Sequence, residues 1–111
     1  MKIYKENIEK QTLKNNFYRK VLSTTPQMQL VLMSIKTGDE IPEEVHSHTT
    51  QFIRVEGGNG VAYVNGRQFN LKDGDAIVIP PGTRHRIKST NNLKLYTIYS
   101  PPEHPKGLVE K

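Results

Sequence analysis

Val61 to Leu71 reads VAYVNGRQFNL. Two runs of strand-forming residues flank Asn65-Gly66, a dipeptide that tolerates the positive φ values of a type I′ hairpin turn. The stretch therefore predicts two antiparallel strands joined by two residues, and the same grammar repeats outward from it. Downstream, Lys72-Asp73-Gly74-Asp75 turns the chain and Ala76-Ile77-Val78-Ile79 is apolar throughout, as a buried strand is. Pro80-Pro81-Gly82-Thr83 stops that run, Arg84 to Lys88 resumes, Ser89 to Asn92 turns, and Leu93 to Tyr99 alternates. Upstream, Gly57-Gly58-Asn59-Gly60 predicts a turn, preceded by short strands over Gln51 to Glu56 and Glu43 to His48. Two further strands fall over Gln27 to Lys36 (QMQLVLMSIK) and Phe17 to Leu22. Many short strands punctuated by turn formers predict an all-β sandwich or barrel.

With 111 residues the chain is a single domain. Residues 1–26 read as an N-terminal arm and first strand, 27–100 as the barrel, and 101–111 (PPEHPKGLVEK) as an extended tail. Three prolines in the first five tail residues exclude a regular helix or a central strand there. His104, set between prolines, is expected in solvent. Apolar residues make up only 34% of the chain but are grouped into runs, which predicts a folded protein with a thin core. A thin core and a polar arm lead us to expect a homodimer, with the arm or the Phe17 to Leu22 strand packed on or exchanged with the partner.

Composition removes several function classes. There is no cysteine, so disulfides, thiolate metal sites and cysteine nucleophiles are excluded, and any metal must be held by nitrogen and oxygen. The net charge of +5 is spread among acidic residues and no basic run is interleaved with stacking aromatics, so no nucleic-acid partner is expected. No apolar window approaches a membrane span and the first residues, MKIYKENIEK, lack a leader-like apolar run, so the expectation is a cytoplasmic protein without a membrane partner. The Gly-x-Ser-x-Gly, Gly-x-x-x-x-Gly-Lys and His-Glu-x-x-His patterns are missing, which removes serine hydrolase, nucleotide hydrolase and zincin readings.

What remains is a set of metal-ligand types in Gly38 to Gly58, GDEIPEEVHSHTTQFIRVEGG. Residues two apart in a strand share a face, so Glu44, His46 and His48 can converge on one ion. Gln51 has the opposite parity and joins them only if the chain turns at Thr49-Thr50 and a new strand begins. His85, after the Pro-Pro-Gly turn, would complete the set from across the barrel. Neutral imidazoles with a carboxylate and an amide oxygen suit a divalent Fe, Mn, Ni, Cu or Zn ion. The alternative for a His-x-His pair by itself is an exposed polar strand face.

The frame around these residues resembles the two signatures of the cupin superfamily. The first is matched by Gly38, Glu44, His46, Gln51 and Gly58, with five, one, four and six residues between them. The second is matched by Gly74, Pro80, Gly82 and His85, with five, one and two. Nearly the whole chain is similar to small bacterial cupins labelled mannose-6-phosphate isomerase-like. The resemblance implies a double-stranded β-helix, a jelly-roll barrel with a metal site near one end, and frequent dimers. Its first ligand is usually histidine, and in this register that place is taken by Glu44. Two ligand sets therefore stay open: Glu44, His46, Gln51 and His85, or His46, His48, Gln51 and His85. Gln51 stands where the family usually has glutamate, which lowers the negative charge offered to a divalent ion.

The expected function is a cupin that binds one divalent metal and acts on a small oxygen-rich molecule, sugar-like or sugar-phosphate-like, in an isomerase-like reaction. A metal-dependent dioxygenase and a non-catalytic metabolite-binding module are the alternatives. Arg84 and Arg86 alternate with His85, so both should point off its face.

Overall fold

The computed structural model describes residues 2–111. In chain order the elements are helix α1 (Ile8–Lys14) and strands β1 (Arg19–Thr24), β2 (Gln29–Ile35), β3 (Glu40–Glu44), β4 (Thr50–Val64), β5 (Arg67–Lys72), β6 (Ala76–Ile79), β7 (His85–Ser100) and β8 (Val109–Glu110). Every pairing is antiparallel. β4 and β7 are long enough to belong to two layers at once. In one layer, the first half of β4 pairs with β6 and with the second half of β7, and the sheet continues through β2 and β1 to β8. In the other, the second half of β4 pairs with β5 and with the first half of β7, whose far edge carries β3. Two sheets joined through two shared strands make the jelly-roll barrel anticipated above.

Two expected turns are instead bends within these long strands. Gly57 to Gly60 lies inside β4 and Ser89 to Asn92 inside β7, and the two bends face each other across the ladder. The register slips there between Val55 and Gly60, which is how β-bulges turn a strand without ending its pairing. Glycine is required because the backbones nearly touch. A Cβ on Gly58, at φ +77, would overlap the carbonyl oxygens of Asn91 and Asn92, and one on Gly60 would sit 2.7 Å from the Lys88 carbonyl. The Asn65-Gly66 hairpin forms as predicted, with φ of 49 and 80 and Val64 opposite Arg67.

The core lies between the sheets. Val31, Met33 and Ile35 of β2, Ile53 and Val55 of β4, and Leu93 and Leu95 of β7 are all fully buried, following the period-two pattern of each strand. Burying each such side chain contributes about 1.5–3 kcal/mol. The N-terminal segment holds a helix that the sequence reading left as an arm. Asn7 caps it by accepting from the Lys10 amide at 2.9 Å, and Glu9 and Lys14 match the helix dipole at its two ends. The helix packs against β2, β4 and β7, with Leu13 filling the space that Gly57 leaves open.

The tail folds back over the barrel. β8 pairs with β1, placing Glu110 opposite Arg19, and the Val21 amide donates to the Leu108 carbonyl at 2.8 Å. β1 is thus bonded on both edges within its own chain.

These bends give a paired test. Gly58→Ala should lower the unfolding free energy by more than about 2 kcal/mol, since it adds a backbone overlap to the left-handed φ. Gly66→Ala, at φ +80 with nothing within 4 Å, should cost about 1–2 kcal/mol. Urea denaturation of the two variants measures the difference.

Candidate metal centre

β3 and the first residues of β7 set the centre's base. Glu44 is the ladder partner of His85, so both side chains start from adjacent positions on the inner face. β3 ends at Glu44, and the chain crosses to β4 through residues 45–49. His46 lies on this crossing, fixed by its carbonyl, which accepts from the Gly82 amide at 2.8 Å. That bond ties the loop of the first signature to the Pro80-Pro81-Gly82 turn of the second. β4 then begins at Thr50, which is the restart that Gln51 needed in order to face inward.

Glu44, His46 and His85 each offer a ligand atom within 4.8 Å of the others. Two ligands at about 2.1 Å from one ion lie at most ~4.2 Å apart, so a small closure brings the three into coordination range. The His46 and His85 ring centroids are 5.2 Å apart. Gln51 is buried, and its Nε2 donates to Thr97 Oγ1 at 3.1 Å, which leaves its Oε1 as the free end. His48 is exposed and outside the cluster. The shared-face argument fails for it because β3 stops at Glu44, and parity counts only within a strand. Between Glu44 and His48, the residues in which the two ligand sets differ, it is Glu44 whose ligand atom lies near those of His46 and His85.

The fit to a cation rests on unpartnered atoms. Glu44 Oε1, His46 Nε2, Gln51 Oε1 and His85 Nε2 are all buried without a hydrogen-bond partner. Each such group ordinarily costs about 1–3 kcal/mol. Three of the four belong to residues whose ligand atoms lie within 4.8 Å of one another, a cluster that could hold a metal ion. For His85 the tautomer follows from its other nitrogen. Nδ1 lies 2.9 Å from the Thr83 carbonyl, which can only accept, so Nδ1 carries the proton and Nε2 presents its lone pair.

Other side chains surround these residues. Tyr99 is 1% exposed, and its ring meets His46 edge-on at 5.7 Å. Burial, opposed by Arg19, raises its pKa well above the usual phenol range, so it stays a neutral hydroxyl. His104 is only partly exposed, contrary to the solvent position expected for it, and its ring packs on Tyr99 at 5.1 Å. Burial, followed by the Arg19 charge, lowers its pKa and keeps it neutral near pH 7. Arg84 and Arg86 point away from the centre as parity requires, each 3.4 Å from a glutamate, Glu43 and Glu40 respectively. A surface groove of about 1030 Å³ between Lys2–Tyr4 and β1 shares no residue with the centre. Among the described residues no helix is long and apolar enough to cross a membrane.

Comparison with known proteins agrees with this architecture. The cupin domain family matches residues 31–99. The chain is 44% identical to the uncharacterized protein L612 of Acanthamoeba polyphaga mimivirus over 97% of its length, covering 71% of that protein. It is 41% identical to the uncharacterized protein YrkC of Bacillus subtilis over 95% of its length, covering 61% of it. A more distant match, 27% identical over 75 residues, covers 68% of this chain and 16% of mannose-1-phosphate guanylyltransferase from Klebsiella pneumoniae. Among solved structures, BH2720 from Bacillus halodurans superposes with a TM-score of 0.94 at 42% identity, covering 98% of this chain and 89% of that one. With its two glycine-framed signatures, its shared long strands and its inward Glu44, His46 and His85, the chain belongs to the cupin family.

Proposed function

We propose that the protein binds one divalent transition metal, Fe, Mn, Ni, Cu or Zn, through Glu44, His46, Gln51 and His85, and acts there on a small sugar-like or sugar-phosphate-like molecule. The observation that carries the reading is the cluster of Glu44, His46 and His85, whose ligand atoms lie within 4.8 Å of one another. The sugar-phosphate class draws its support from the match to mannose-1-phosphate guanylyltransferase. Such an ion, when bound, acts as a Lewis acid that polarises a carbonyl or hydroxyl oxygen.

The chain's own residues have separable tasks. His85, locked by the Thr83 carbonyl, holds its Nε2 toward the centre at a fixed tautomer. Gln51, locked by Thr97, keeps its oxygen there without adding a charge. Tyr99 and His104, both held neutral, line the wall beside His46 and offer hydrogen-bonding groups to the hydroxyls of a polyol.

We also propose a cytoplasmic homodimer. Its support is an apolar row on the outer face of the larger sheet, where Val78, Phe52, Ile98 and Leu30 are cross-strand neighbours in register. Val78 is 59% exposed. β1 is already bonded on both edges, which leaves packing of the arm or of the Phe17 to Leu22 segment, rather than pairing at a β1 edge, as a further contact this row could be joined by. Phe52→Glu should convert the dimer to a monomer in light scattering at micromolar concentration; a wild-type monomer refutes the pairing.

Elemental analysis of protein purified without chelator or nickel resin should find one transition metal per chain. His46→Ala and His85→Ala should lose it with the fold intact by circular dichroism, and His48→Ala should keep it. Gln51→Glu should tighten binding about tenfold, ~1.4 kcal/mol, because an anionic oxygen replaces a neutral one. Turnover on aldose and ketose phosphates, followed by NMR, tests the isomerase-like reaction. Oxygen consumption instead would indicate a dioxygenase, and a ligand recovered unchanged would indicate a binding module.

A further inference from the structure

His46 has no backbone acceptor to match the one that Thr83 supplies to His85. Its Nδ1 faces a side chain from the C-terminal tail: Glu103 Oε2, 3.5 Å away. Its Nε2 is buried without a hydrogen-bond partner and lies 3.9 Å from Glu44 Oε2. The ring thus stands between a carboxylate of the candidate ligand set and one outside it, with its side chain only 10% exposed.

Residue 103 is not placed there by chance contact of a loose end. Gln29 lies on the inner face of β2 in phase with Val31, Met33 and Ile35, and it is fully buried. Its amide is spent on the tail. Nε2 donates to the His104 carbonyl at 2.7 Å and to Thr24 Oγ1 at 3.0 Å, while Oε1 accepts from the His104 amide at 3.0 Å and the Glu103 amide at 3.4 Å. Both amide hydrogens and the oxygen are engaged, which is the full capacity of a glutamine side chain. On the near side, Thr49 Oγ1 donates to the Pro101 carbonyl at 3.3 Å. On the far side, Arg19 pairs with Glu110 where β8 joins β1. The backbone carrying Glu103 is therefore fixed before, at and after that residue.

We propose that Glu103 is a positioning residue for His46, an outer carboxylate that accepts from Nδ1–H and so aims the Nε2 lone pair at the metal; this rests on the metal reading above. A small rotation of the Glu103 side chain closes 3.5 Å to the ~2.8 Å of a charge-assisted hydrogen bond. Outer partners of this kind fix the tautomer and ring orientation of a ligating histidine and raise its basicity. The chain has a particular need of one, because Gln51 contributes no charge. Gln29 then acts one step further out, as the clamp that delivers the carboxylate.

The test uses the full-length protein and two readouts. In metal-free protein, imidazole ¹⁵N shifts should report the Nδ1–H tautomer for His46; Glu103→Ala should mix the tautomers, and Glu103→Gln, which keeps an acceptor oxygen, should largely restore the wild-type state. With Co²⁺ alone as probe, Glu103→Ala should weaken binding about 10–100-fold and Glu103→Gln by less. Gln29→Met should reproduce the Glu103→Ala loss and add little to it in the double variant. If wild type binds Co²⁺ and Glu103→Ala binds it equally well, the positioning role is overturned. Should wild type not bind Co²⁺, the metal reading fails by itself. The tautomer measurement still decides on Glu103, and an unchanged His46 tautomer in Glu103→Ala overturns its role.

Discussion

The ladder between β4 and β7 is the constraint on which the rest depends. It runs from Thr50 opposite Ser100 to Val64 opposite His85, through both sheets. A straight ladder of that length would give one flat sheet, and the core between Ile53, Val55, Leu95 and Ile87 would not close. Bending both strands at the same level folds the ladder over on itself, and that requires carbonyls from β7 to enter the space of a side chain on β4. Gly58 and Gly60 leave that space. The hydrophobic gain of two facing layers then offsets the irregular pairing at the bulges.

The same ladder determines where the chemistry sits. His85 is the first residue of β7 and Gln51 the second of β4, so the two ends of the barrel's longest strands deliver one donor each. Glu44 arrives as the ladder partner of His85, and His46 arrives on the crossing that Gly82 tethers. Glu44 Oε1, His46 Nε2, Gln51 Oε1 and His85 Nε2 are buried without a hydrogen-bond partner, which opposes folding, and contacts of the neighbouring atoms hold these side chains nonetheless. Thr97 Oγ1 accepts a hydrogen bond from Gln51 Nε2, and the Thr83 carbonyl accepts one from His85 Nδ1. The tail, through Gln29, brings Glu103 to His46. These contacts fix the side chains around Glu44, His46 and His85, a cluster that could hold a metal ion.

The structure also explains why local reading misplaced certain residues. Gly57 to Gly60 looked like a turn because a bulge and a turn draw on the same residues, and only pairing with β7 distinguishes them. His48 stood as the alternative to Glu44 because alternation was carried past the end of β3. His104 looked like a solvent residue because tail prolines remove regular structure, yet they do not prevent docking through a side-chain amide. Gln29 carried a signal that could have been used. A glutamine in phase with Val31, Met33 and Ile35 must find partners inside the barrel, and no nearby residue offers enough of them.

By itself the sequence determined what depends on short-range geometry: the Asn65-Gly66 hairpin, the strand-and-turn rhythm of an all-β barrel, the exclusion of cysteine chemistry, and the two glycine-framed stretches that hold Glu44, His46, Gln51 and His85. Those features follow from φ preferences, side-chain alternation and composition, which act within a few residues. Tertiary structure alone decided which histidine turns inward, which atoms lack partners, and that the tail closes beside the centre. These outcomes depend on contacts between residues far apart in the chain, such as Gln29 with His104 and His46 with Glu103, and local periodicity carries no information about them.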